Sequence, residues 1–123
     1  MQKHNLLYCG DNLSILREYL PDESVDLIYL DPPFSSKRLY NIVFRKKGMA
    51  DLRIRAFDDI WRWDNSTAVA YQDLLKAANN ISQTMQAFHM LLSTNNMLAY
   101  LTMMASRLVE LRRVLKPLSL IHI

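Results

Sequence analysis

The chain has 123 residues, 50% of them hydrophobic and 22% charged, with a net charge of +3, which describes one soluble globular domain, small for a cofactor-dependent enzyme. Two glycines exclude a phosphate-cradling Gly-rich loop, and the single cysteine, Cys9, excludes an internal disulfide and fits a reducing compartment. The N-terminus lacks the basic-then-apolar layout of a signal peptide, and the most apolar helical stretch, 97–105, is too short to span a bilayer; the expectation is a cytoplasmic protein with no membrane partner and no metal site.

In chain order, "NLLYCG" (5–10) reads as a short buried strand ending at Gly10. Asp11 or Asn12 then caps a helix carrying Leu13, Leu16 and Leu20 on one side. "PDES" (21–24) is a turn, and "VDLIYL" (25–30) is a second strand with little alternation, as expected where both faces are covered. Strand, helix, strand in this order predicts a right-handed crossover within a parallel sheet. Ligand sites in such sheets lie just past the carboxyl ends of the strands, the position that Asp11 and Asp31 both occupy.

From Ser35 to about Ser66 the periodicity is lost, apart from a short strand at "YNIVF" (40–44). Connections this long inside a compact domain are functional or disordered, and Tyr40, Phe44, Phe57, Trp61 and Trp63 are too many aromatics for a plain linker. Residues 37–62 also hold eight basic side chains against three acidic ones. Such a segment attracts phosphates through counterion release, although a solvated loop would have the same composition. Two helices follow, over about 68–92 and 96–116. The second places Met97, Leu101, Met104, Leu108, Leu111 and Leu115 on one stripe, with Arg112, Arg113 and Lys116 near its negative pole and Pro117 at its stop.

The second strand ends on Asp31-Pro32-Pro33-Phe34. A carboxylate accepts hydrogen bonds from an amino group, and two prolines remove two N–H donors and leave carbonyl acceptors. An aromatic ring beside them offers a face for stacking. Two acceptors converging on an amine next to a flat ring suit the exocyclic amine of a nucleobase lifted from its duplex. Held in this way, the nitrogen keeps its lone pair out of conjugation and can attack an electrophilic methyl group. The plainer alternative is a rigid turn with a capping aspartate and a core phenylalanine.

"LYCGDNLSILREYLPDESVDLIYLDPPF" resembles the amino-group-specific DNA methyltransferases that use S-adenosylmethionine, in the arrangement where the catalytic motif precedes the cofactor motif. "NMLAYLTMMASRLVELRRVLKP" resembles the helix that in this family leads into the next sheet strand, usually through a Thr-Gly-Ser turn. The resemblance covers residues 5–117. It implies an α/β, partial Rossmann-like methyltransferase fold with parallel strands and flanking helices. It also implies Asp31, Pro32, Pro33 and Phe34 as the catalytic tetrapeptide, with Asp11 near the cofactor's adenine or simply capping its helix. Aspartate at the first catalytic position favours adenine; a cytosine-amine enzyme is the alternative from the same chemistry, and a non-catalytic DNA-binding or interaction module the alternative from another class. "RKKG" and "FDDIWRW" resemble the DNA-facing insert, with Arg45, Lys46 and Lys47 on phosphates and Trp61 and Trp63 either there or in a local core. DNA is the implied partner, with a second copy or restriction-modification subunits beside the full-length enzyme.

The family's glycine-rich cofactor loop and its ribose-binding acid have no counterpart in this chain. Residues 1–117 therefore read as the N-terminal, catalytic-motif part of a methyltransferase domain, inactive by itself. The last six, "LSLIHI" (118–123), match the translation of a transposase adapter end used in making sequencing libraries and read as foreign. A genuine strand in the same slot is the alternative.

Overall fold

The computed structural model describes residues 5–35, 39–44 and 52–123, with 39–44 and 52–58 described as backbone. The chain is mixed α/β, with four helices, a two-stranded parallel sheet and a two-stranded antiparallel sheet among the described residues. It divides into two compact units, Met1–Asp31 with Ala105–Ile123, and Pro32–Met104.

The first unit contains α1 (Asn12–Tyr19) and β1 (Val25–Tyr29). Gly10 enters α1 at φ 150, a region open to glycine and not to L side chains. Asp11 caps the helix, its Oδ1 accepting the N–H groups of Leu13 at 2.8 Å and Ser14 at 3.3 Å. Leu16 is the buried residue of this helix. The sequence places a strand at 5–10, but residues 5–9 are exposed and form none. A strand needs a hydrogen-bonded neighbour, and no described residue pairs with them; the parallel neighbour of β1 comes from the far end of the chain.

That neighbour is β4 (Leu115–His122), which follows directly on helix α4 (Asn96–Val114). Val25 pairs with Leu115, Leu27 with Leu120, Ile28 with Ile121 and Tyr29 with His122. The register shifts between the first two of these pairs, where Pro117 has no N–H to donate and Leu118 adopts φ 64. Leu16, Ile28, Leu111, Val114 and Leu115 form the core, with Leu20, Val25, Leu30 and Ile121 packed against it. Residues 118–123, read from the sequence as foreign with a genuine strand as the alternative, lie in β4 as far as His122, with Leu120–His122 paired to β1 and Ile121 packed against the core. The sequence suggests that β1 is covered on both faces, yet Leu27, Tyr29 and Leu120 are 61%, 75% and 69% exposed. Among the described residues only the Ile28 face is covered.

The second unit contains β2 (Leu39–Phe44) antiparallel to β3 (Leu52–Asp58), followed by α2 (Asn65–Lys76) and α3 (Asn80–Leu92), which pack together. The sequence reading has no counterpart to β3, whose "LRIRA" alternates apolar and basic residues with the strand period of two. The single helix expected over 68–92 is two helices. Ala78 turns back at φ 46, and the Asn79 side chain accepts the N–H groups of Ile81 and Ser82 to start α3. A side chain that competes for backbone donors in this way favours a cap over a helix interior. Asp64 does the same for α2, accepting from Thr67 N–H at 2.8 Å.

Helix α4 ends two residues before the expected 116. Its buried residues are Leu98, Ala99, Thr102, Ser106, Leu111 and Val114. Met97 and Leu108 of the expected stripe are 47% and 37% exposed. The buried face rotates along the helix, and it includes a hydroxyl that sequence hydropathy counts as polar. Thr102 Oγ1 donates to the Leu98 carbonyl at 2.8 Å, which satisfies the group and permits its burial.

Candidate functional site

Strand β1 delivers the chain to the tetrapeptide. Leu30 N–H donates to the His122 carbonyl at 2.8 Å, the last rung of the parallel ladder, and Asp31 follows. Asp31 is exposed, and its carboxylate has no hydrogen-bond partner among the described residues. The boundary between the two units falls at the Asp31–Pro32 peptide bond.

In the second unit Pro32 and Pro33 are half-buried, and Phe34 projects with 69% of its surface exposed. A core phenylalanine would not do so. Its backbone is held on both sides. The Pro33 carbonyl accepts the Tyr100 hydroxyl at 2.8 Å. The Ser35 N–H donates to Asp59 Oδ1 at 2.9 Å, with Ser35 at φ 56. The same oxygen accepts Trp61 Nε1–H at 3.1 Å, and the Trp61 ring lies 6.2 Å from that of Tyr100. Asp59 is only 2% exposed. Burial, and then the negative charge of Asp59, push the Tyr100 hydroxyl above its ordinary pKa, so it stays protonated and remains a donor.

The two tryptophans of the expected DNA-facing insert sit in local packing. Trp63 stacks on His89 at 6.2 Å and meets Tyr71 edge-on at 5.6 Å. Burial raises the pKa of Tyr71, whose hydroxyl donates to the Met85 carbonyl at 3.3 Å. Arg45, Lys46 and Lys47 lie outside the described residues. Asp59 and Tyr100 were not singled out by the sequence. The available signals were a second acid directly after a strand and beside a tryptophan, and a tyrosine within an apolar helix.

Asp11, the residue matched to the cofactor, has both carboxylate oxygens engaged. Oδ1 caps α1, and Oδ2 accepts Arg107 Nη2 at 2.7 Å, while Arg107 Nε donates to Asn12 at 2.7 Å. The Asp11 carboxylate is thus committed to the helix cap and to Arg107 rather than held open for S-adenosylmethionine. Among the described residues no helix is long and apolar enough to cross a membrane. No family model, curated protein or solved structure matches the chain.

Proposed function

We propose that this chain is the base-receiving part of a DNA methyltransferase that modifies the exocyclic amine of adenine, with S-adenosylmethionine as methyl donor and the donor's site supplied by residues outside these 123. The observation that carries the reading is the exposed Asp31 and Phe34 directly after a strand paired in parallel. Ligand sites of parallel sheets lie just past carboxyl strand ends.

In this reading an adenine turned out of its duplex stacks on Phe34, and its amino group donates to the Asp31 carboxylate and the Pro32 carbonyl. The Pro33 carbonyl, already taken by Tyr100, has a structural role. Two acceptors on one amine hold its lone pair on nitrogen, which is what nucleophilic attack requires. No step through the methyl donor follows from the residues present.

The test is the affinity of the chain for a duplex with one extrahelical adenine against the same duplex abasic at that position. An adenine preference of at least about fivefold is expected, lost in Phe34→Ala, because a base–aromatic stack is worth roughly 1–3 kcal/mol. Equal affinity for the two duplexes would sink the reading.

A further inference from the structure

Phe34 is flanked by two backbone groups, the Pro33 carbonyl and the Ser35 N–H, and both are bound by side chains from distant positions in the sequence. The contacts form a closed ring. Pro33 C=O accepts from Tyr100, whose ring lies against Trp61; Trp61 Nε1–H donates to Asp59, and Asp59 accepts from Ser35 N–H. Every member belongs to the Pro32–Met104 unit.

We propose that Asp59 and Tyr100 are positioning residues that fix the backbone carrying the Phe34 ring, a preorganised mount for a platform that receives a flat base. This rests on the base-receiving role of Phe34 stated above.

Three observations converge on it. At 69% exposure Phe34 has little covering it, so the backbone on either side sets the direction in which its Cα–Cβ bond projects. Ser35 stands at φ 56, a conformation that a non-glycine residue adopts at a cost and keeps where its surroundings enforce it. Asp59 supplies that enforcement, and as a 2% exposed acid accepting from both Ser35 and Trp61 it is too buried to be a surface ligand. A backbone held in this way has less freedom left to lose when a base arrives, and preorganisation of this kind raises affinity without adding a contact.

The experiment uses the whole chain, the extrahelical-adenine duplex and its abasic counterpart. Three variants carry it. Tyr100→Phe keeps the ring and removes only the hydroxyl. Asp59→Asn keeps an oxygen that can accept, and serves as the conservative rescue of Asp59→Ala. Tyr100→Phe and Asp59→Ala are expected to lower the adenine preference at least about threefold, part of what a full stack contributes, and Asp59→Asn to restore most of it. Amide exchange at Ser35 should speed up in Asp59→Ala. If Asp59→Ala does not fold, Tyr100→Phe decides. An adenine preference unchanged in Tyr100→Phe, while Phe34→Ala abolishes it, overturns the positioning role and leaves the base-receiving reading standing. A wild-type chain with no adenine preference overturns both.

Discussion

Arg113 joins the end of α1 to the end of α4. Its guanidinium donates to the carbonyls of Leu16 at 2.8 Å and Leu20 at 3.1 Å, to Asp22, and through Nε to Glu110 at 2.6 Å. Glu110 also accepts from Arg17 at 3.2 Å. Burial raises the Glu110 pKa, but the hydrogen bonds from Arg113 and Arg17 outweigh it and leave the carboxyl below its ordinary value. A carboxylate depressed on folding adds stability that is present above its unfolded pKa and lost as pH falls through the folded one. Unfolding free energy should therefore decline below about pH 4.3, the ordinary glutamate value. Asp64, lowered by the Thr67 N–H and Ser66, contributes to the same decline. Denaturant melts across this range should show a flatter acid limb for Glu110→Gln; an identical limb would remove Glu110 from the account. Leu118 is a different case. Fully exposed at φ 64, it makes no contact that offsets a left-handed backbone. Leu118→Gly should stabilise the chain by about 1 kcal/mol, the cost of that region for an L residue; a lower melting midpoint would contradict this.

At the scale of elements, strand β4 decides the first unit. Removing residues 118–123 takes away the partners of Leu27, Ile28 and Tyr29 and exposes the core that Ile121 packs against. The chain truncated to 1–117 should melt at least about 4 °C lower, since 1 kcal/mol moves the midpoint of a 60–100-residue domain by about 4–8 °C. An unchanged midpoint would mean that the pairing contributes nothing, as a dispensable tail would. Local chemistry made several elements legible in the sequence. The Asp11 cap, the strand before Asp31 and the long helix before residue 115 each rest on neighbours in the chain. What was not legible depends on distant partners. Residues 5–9 have strand composition but no neighbour to pair with. The 68–92 segment has helical periodicity throughout, yet the Asn79 side chain breaks it by capping a second start. In the site, Asp31 and Phe34 were readable from their motif. Asp59 and Tyr100 reach Phe34's flanks only through folding, from positions 24 and 67 residues along the chain from their partners.

At the scale of the molecule, the first unit holds a parallel strand pair with one bare apolar face, and the second holds the ring of contacts around Phe34. Parallel sheets are ordinarily covered on both faces, so exposed Leu27, Tyr29 and Leu120 accord with the proposal that this chain works with further protein around it. The proposal makes Asp31 the residue on which methyl transfer depends and leaves duplex affinity to phosphate contacts, which carry no information about the base. The most direct measurement is single-turnover methylation of duplex DNA by the protein encoded in the reading frame that contains these residues, beside its Asp31→Ala variant. N6-methyladenine is expected from the wild type, no detectable product from Asp31→Ala, and nearly equal duplex binding by gel shift. A variant that methylates at close to the wild-type rate would contradict it, because Asp31-Pro32-Pro33-Phe34 would then be a turn and nothing more.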